Sequence, residues 1–284
     1  MLNALTVDVE DYFHTEAMAG VAPRSNWDSL SLRVEDSTWK LLELFERCQV
    51  RCTMFFLGWV AERCPHLVAA AAARGHEVGC HSYWHRPVYR LTPKEFREDI
   101  KRAKDVIESA SGRRVYGYRA PSFSMLQDMK WAWDVLAETG FSYSSSCHPI
   151  HHDLYGNPDA PRLPYNTAAG VLEIPITTWR VFDHNLPMAG GAYLRILPWF
   201  YLRAGMRRVA AAGERMMIYL HPWEIDAKQP RLPAPMRSRL RQYTGLKRME
   251  TRLTEVIRTY QFAGVMDAYG LAGSNSNAAC LAAS

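Results

Sequence analysis

The chain has 284 residues, 48% of them hydrophobic and 22% charged, with a formal net charge of +5. That length buries one substantial core, and basic charge so thinly spread disfavours nucleic acid as a partner, since phosphate binding needs concentrated cations. No apolar run is long enough to span a bilayer and no signal pattern precedes the first strand, so a native start implies a cytoplasmic protein. Six cysteines with no C-x-x-C pair read as reduced, mostly buried thiols.

In chain order, short β-type runs alternate with helical patterns. Strands are expected at 2–7, 53–56, 77–80, 117–118, 142–145, 171–174 and 216–220, with a weaker one at 263–266. Between them, apolar spacings of three and four predict helices at 37–48, 60–73, 93–110, 129–138 and 197–212. Thr92, with Glu95 three positions on, is a capping-box signature, and Arg74-Gly75 is a helix stop. Such alternation implies an α/β fold with a mostly parallel sheet, and the strand count suggests a closed or nearly closed barrel. Residues 147–168, rich in His and Pro, read as an excursion over the barrel mouth. Residues 226–260 read as a helical extension whose Arg239, Arg241, Lys247, Arg248 and Arg252 alternate with Glu250 and Glu255 on a solvated face. One barrel domain over 1–268 and a flexible tail over 269–284 are expected.

Parallel barrels gather their chemistry at the C-terminal ends of strands. Asp8 and Glu10 follow the first strand two positions apart, so an extended backbone turns both carboxylates the same way. One can hold a cation while the other stays free as a base. Asp11 is the rival ligand. His81 and His85 follow the third strand at a four-residue spacing and would share a face if the segment makes a helical turn. Two imidazoles and one carboxylate form a three-ligand catalytic pattern for a divalent metal, with zinc the default and Co, Ni or Mn also able to serve.

Arg119 follows the fourth strand and could orient Asp8, while Pro121 stiffens a turn in which the Ser122 N–H could face an oxyanion. His221, at the end of a late strand, is suited to protonate a departing amine. Gly190-Gly191 suggests a permissive loop from which Tyr193 and Arg195 touch a sugar, and Trp84, Trp223 and Tyr155 are candidate stacking platforms beside Phe123. Taken singly, each pattern has a plainer explanation: an acidic turn, a chance H-x-x-x-H, a surface ion pair, a core histidine. Cys80 is read as core, and His66, His76, His148, His151 and His152 as structural or rim residues.

Five stretches occur in order: Thr6-Val7-Asp8-Val9-Glu10, Thr53-Met54-Phe55-Phe56-Leu57-Gly58, His81-Ser82-Tyr83-Trp84-His85, Arg119-Ala120-Pro121-Ser122-Phe123 and Leu220-His221-Pro222. Over about residues 2–265 the chain resembles the polysaccharide deacetylase family, carbohydrate esterases with the chitooligosaccharide deacetylase homology domain. Asp-Val-Glu-Asp-Tyr-Phe, Gly-Gly-Ala-Tyr-Leu-Arg and His-Pro-Trp-Glu are most similar to the branch encoded beside exosortase-type exopolysaccharide loci. The resemblance implies a distorted (β/α) barrel of about seven parallel strands and metal-dependent removal of N-acetyl groups from amino-sugar units of an exopolysaccharide or its precursor. It makes Asp8 the base, Arg119 its partner, His81 and His85 metal ligands, and His221 the acid. The family's adjacent aspartates are replaced here by Asp8 and Glu10 with Val9 between, and Glu224, Asp183 and Asp153 compete to tune His221. A carbohydrate is the expected partner, with peripheral attachment to a membrane polysaccharide-assembly system a further option; the residues set no oligomeric state. Two other classes fit: a metal-independent, allantoinase-like amidohydrolase of a small cyclic amide, and a non-catalytic glycan-binding barrel.

Overall fold

The computed structural model describes residues 1–152 and 156–271. Strand β1 (Asn3–Val9) is buried along its whole length, as a strand covered on both faces must be. After it come α1 (Val34–Arg47), β2 (Thr53–Phe56), α2 (Gly58–Arg63), α3 (Pro65–Ala73), β3 (Glu77–Cys80), α4 (Pro93–Ser111), β4 (Gly117–Tyr118), α5 (Lys130–Glu138) and β5 (Tyr143–Ser144). The second half adds β6 (Tyr165–Asn166), β7 (Leu172–Glu173), β8 (Thr178–Val181), β9 (His184–Pro187), α6 (Gly191–Ile196), α7 (Trp199–Ala211), β10 (Met217–Leu220), α8 (Met236–Tyr243), α9 (Leu246–Thr259), β11 (Phe262–Ala263) and α10 (Val265–Ala268).

The main sheet runs β10-β1-β2-β3-β4-β5-β7-β6, with β11 also pairing β1. From β10 to β7 its seven strands are parallel, and β6 is antiparallel at the edge. The expected mostly parallel α/β sheet is therefore present, curled into a part-barrel whose hydrogen-bonded path stays open between β10 and β6 among the described residues. Because β1 pairs with both β10 and β11, the start and end of the chain share one sheet. The parallel register levels the carboxyl ends: Val9 pairs with Phe56, Phe56 with Cys80, and Cys80 with Tyr118, while Val7 pairs with Leu220. Glu10, His81, Arg119 and His221 each lie one residue beyond those ends, so a single edge of the sheet presents all four.

The helices follow local chemistry. Thr92 caps α4 with the expected reciprocal pair, Glu95 N donating to its Oγ1 at 3.3 Å and Thr92 N to Glu95 Oε2 at 2.8 Å, and Gly112 closes the helix at φ 63°. The single helix expected at 60–73 is two, because Pro65 cannot donate to the preceding turn and Cys64 leaves the helical region at φ −125°, ψ 57°. The weak strand expected at 263–266 is Phe262–Ala263, and the chain turns at once into α10. The hairpin β8–β9 was not apparent in the sequence; its strands alternate without a Gly turn, and Phe182 takes φ 51° at its tip. Residues 226–260 do contain helices, and α9 buries Leu246, Met249, Leu253, Val256 and Ile257 at helical spacing against the body. The expected tail falls largely on residues 272–284, outside those described. Cys48, Cys52, Cys64, Cys80 and Cys147 are free thiols, Cys80 fully buried. No described helix is long and apolar enough to cross a membrane.

Candidate functional site

Thr6 and Asp8 leave β1 on one face, and both meet Arg119 across the sheet. Arg119 Nη1 donates to Asp8 Oδ1 at 2.8 Å and to Thr6 Oγ1 at 2.6 Å. Its Nε and Nη2 donate to the carbonyl and Oγ of Ser145 at 3.0 and 2.9 Å. Arg119 is completely buried and Asp8 nearly so, so each charge depends on the other in place of water.

Glu10 continues the same face of the chain and meets the two histidines. Its Oε2 lies 2.7 Å from His85 Nε2 and 4.0 Å from His81 Nε2. One ligand atom from each residue fits within 4.8 Å of the others, and all three side chains are buried. His81 Nδ1 lies 2.9 Å from the Arg119 carbonyl, which can only accept, so Nδ1 carries the proton and the Nε2 lone pair faces Glu10. Glu10 Oε2, though buried and close to His85, has no directed hydrogen bond among the described residues. Two imidazole nitrogens and a carboxylate oxygen converging on a shared point fit a divalent cation. Burial pushes His81 down to about 4, against the pull of Asp8 and Glu10, leaving the neutral imidazole that a metal needs. Burial would raise the Glu10 carboxyl, but His85, His221 and His81 together hold it well below the usual carboxylate range.

The histidine pair does not sit on a helical turn. Residues 81–87 form an irregular loop, with Ser82 at φ 62° and His85 at φ 51° folding both rings inward. Asp99 of α4 holds this loop by accepting the N–H groups of Tyr83 and Trp84 at 2.7 and 3.2 Å. Asp11 stands apart from this cluster. Its Oδ1 accepts the Tyr12 N–H, and its Oδ2 accepts those of Arg33 and Val34 at the start of α1, each at 2.7 to 2.8 Å. That carboxylate caps a helix, and its oxygens are already occupied.

His221 Nε2 stands 3.6 Å from Glu10 Oε1 on the far side of the cluster. Glu224 faces its other nitrogen, with Oε2 3.4 Å from Nδ1 and 3.0 Å from the His221 N–H. Burial opposes charging of His221, but the Glu224 hydrogen bond and the charges of Glu224, Glu10 and Asp8 outweigh it and push the imidazole up to about 9. Glu224 thus stands where the sequence left three candidates open. Asp183 is fully exposed on the β8–β9 hairpin beside Arg180, and Asp153 lies outside the described residues.

Three expectations change here. Arg195 borders the site cavity, but its guanidinium is fully buried and engaged within the protein, donating to Glu224 Oε1 at 2.9 Å and to the carbonyls of Arg241, Gln242 and Thr244. The diglycine is no loop but the start of α6, where a Cβ on Gly191 would come within 1.5 Å of Glu224 Oε2. Glycine stands there for space. Trp223, expected as an exposed platform, is buried and stacks on His221 with ring centres 5.0 Å apart at 19°. Ser122, Phe123, Tyr193 and Trp223 line one cavity of about 300 Å³ with Asp8, Glu10, His81, His85 and His221, and His152 joins its wall. Tyr155 lies outside the described residues. His66 pairs with Glu35 at the surface, and His76 Nδ1 accepts the Cys52 N–H inside the core.

Residues 25–144 match the family model described as polysaccharide deacetylase. The chain carries a domain of the polysaccharide deacetylase family. Residues 145–270 match a second model, a domain of unknown function, DUF3473. Curated relatives include a peptidoglycan-N-acetylglucosamine deacetylase of Bacillus cereus, 28% identical over 47% of this chain and 52% of its own length. A peptidoglycan deacetylase of Helicobacter pylori is 26% identical over 52% of this chain and 44% of its own length. The chain thus spans about half the length of the curated relatives it matches. Among solved structures, a Mycobacterium smegmatis protein described as a polysaccharide deacetylase superposes with a TM-score of 0.62 at 20% identity, covering 96% of this chain and 90% of its own. A Bacillus anthracis pseudoenzyme of carbohydrate esterase family 4 superposes at 0.51 with 14% identity, covering 94% and 64%.

The deacetylase segment supplies His81, His85 and Arg119, while Asp8 and Glu10 precede it and Arg195, His221 and Glu224 come from the DUF3473 segment. The site is assembled across all three stretches by the pairing of β10 with β1. Since a pseudoenzyme shares the deacetylase fold, activity has to be argued from the side chains.

Proposed function

We propose that this chain is a metal-dependent hydrolytic N-deacetylase acting on N-acetylated amino-sugar units of a bacterial exopolysaccharide or its precursor. The observation that carries the reading is the convergence of Glu10, His81 and His85 with Asp8 and His221 on one cavity. Glu10, His81 and His85 would hold a divalent cation, zinc by default for this donor set, which when bound polarises the acetyl carbonyl and acidifies water.

Asp8 is the base in this reading. Arg119 pairs with it and fixes one oxygen, leaving the carboxylate oriented to take a proton from water. The Ser122 backbone N–H, in a turn held at φ 53°, is the candidate donor to the tetrahedral oxyanion. His221, charged at neutral pH through Glu224, gives its proton to the departing nitrogen as the C–N bond breaks. The products are acetate and a free amine. Tyr193 and Phe123 are the candidate sugar contacts on the cavity wall.

The test is acetate release from N-acetylated oligosaccharides by the purified chain, with added zinc and after chelation. Metal-dependent release, lost in Asp8→Asn, supports the reading. Release that survives exhaustive chelation overturns it in favour of a metal-independent amidohydrolase, and glycan binding with no release overturns it in favour of a carbohydrate-binding pseudoenzyme.

A further inference from the structure

A second cavity, of about 290 Å³, adjoins the first and shares two of its walls, Glu16 and His85. At His85 the left-handed backbone turns the imidazole toward Glu10 and sends the following residue, Arg86, into this second space. The two cavities are similar in volume and meet beside the metal cluster, the arrangement expected for consecutive units of one polymer.

The chemistry of the second cavity differs from that of the first. Arg24, Arg86 and Arg90 all line it, against the one carboxylate of Glu16. Arg90 is paired with Glu16 at 2.8 Å, and Arg86 shares Glu95 at 3.3 Å with a third of its side chain still exposed. Arg24 has no ion-pair partner among the described residues; its guanidinium lies over the Trp84 ring, 4.9 Å from the centre. Positive charge is therefore in excess, on planar donors suited to a carboxylate.

His14 adds an independent observation. It lines the same cavity and is 97% buried, its relative exposure being 3%. Its Nδ1 accepts the Asp11 N–H at 2.8 Å, so in the neutral ring Nε2 carries the proton. That buried N–H has no partner among the described residues, a cost that an acceptor in the cavity would remove. Burial holds the ring well below its usual pKa, so it remains a neutral donor.

We infer that this second cavity is a subsite for a carboxylate-bearing sugar, a hexuronate or its like, next to the N-acetylated unit being processed. The inference rests on the proposed deacetylase reading for the position of its neighbour, and it specifies an acidic polymer as the substrate class. Arg24 and Arg86 take the carboxylate, and His14 Nε2–H serves a ring or carboxylate oxygen.

The test uses a matched pair of oligosaccharides: N-acetylglucosamine next to glucuronate, and the same compound with the carboxyl reduced to a hydroxymethyl group. Binding to the purified chain is followed by tryptophan fluorescence, alongside acetate release. The acidic member should bind about tenfold more tightly or better, the difference shrinking with salt, and R24E/R86E should bring the ratio to about one. Equal binding of the pair, a preference that survives R24E/R86E, or a phosphorylated sugar outcompeting the glucuronate compound would each overturn the subsite. The two proposals separate cleanly. Acid-selective binding without acetate release leaves the subsite and removes the reaction, whereas equal turnover of both sugars leaves the reaction and removes the subsite.

Discussion

Arg195 Nε donates to Glu224 Oε1 at 2.9 Å with both side chains fully buried, and the other oxygen of that carboxylate faces the His221 ring. The pair links α6 to the turn after β10 and sets the charge of the proposed acid. Burial alone would raise the Glu224 carboxyl; Arg195 and His221 hold it down as a carboxylate. Glu224→Gln removes that charge and leaves Arg195 unpaired. His221 acts in its protonated form, so activity falls as pH rises through its pKa, and losing Glu224 brings that fall to lower pH. We expect kcat to drop by about tenfold or more, with the basic limb of the pH–rate profile displaced downward. Arg195→Met breaks the same buried pair from the other side and should cost about 3 kcal/mol of stability in urea denaturation.

Asp8 keeps an oxygen on Arg119 even as an amide, which makes Asp8→Asn a clean probe of the base. The amide cannot take a proton from water. The expected loss in kcat is about a thousandfold, within the range for a general base, with cation content at wild-type level. Metal analysis beside single-turnover acetate release checks both halves. A variant with near-normal turnover removes Asp8 from the role.

Glu10 and Asp11 are adjacent and carry the same charge, yet their variants should behave oppositely. Glu10→Gln removes the anionic ligand from the cluster, replacing one oxygen with an NH2 group, and should abolish stoichiometric cation binding. Asp11→Ala strips the acceptor from three backbone N–H groups at the entry to α1, so it should leave cation binding intact and lower stability by about 2 kcal/mol. Calorimetric zinc titration and urea denaturation of both variants distinguish the pair. A loss of zinc in Asp11→Ala would reverse the assignment.

The features legible in the sequence are those written in short spacings. Asp8 and Glu10 at two residues, the histidines at four, and strand ends marked by Cys80, Tyr118 and Leu220 all depend on local geometry, and the parallel register then aligned them. What stayed hidden depends on contacts between distant segments. Arg195 and Glu224 are 29 positions apart and meet only because Gly191 lacks a side chain, so Arg195 read as a free sugar contact. Asp11 reaches 22 and 23 residues along to cap α1, and nothing near α1 signals it. The His81–His85 turn is set by Asp99 on α4, which overrides the helical spacing with left-handed residues. One signal was available: Glu224 follows His221 by three residues with Pro222 between, the spacing of a capping box, and it would have chosen Glu224 over Asp183.

His76 gives a pH-dependence of the fold that is separate from the site. It is 3% exposed, its Nδ1 accepts the Cys52 N–H, and burial, with Arg51 and Arg74 adding to it, pushes the ring down to about 4. The unfolded chain binds this proton near pH 6.5 and the folded one only near 4, so the fold keeps its full stability above 6.5 and loses it as pH falls through that window. At pH 5 the loss from this residue is about 2 kcal/mol. His76→Asn retains an acceptor for Cys52 without the titration, so its stability should fall less steeply between pH 7 and 5 than that of the parent chain. Urea denaturation of both proteins at the two pH values measures the difference, and parallel slopes would show that His76 accepts a proton without unfolding.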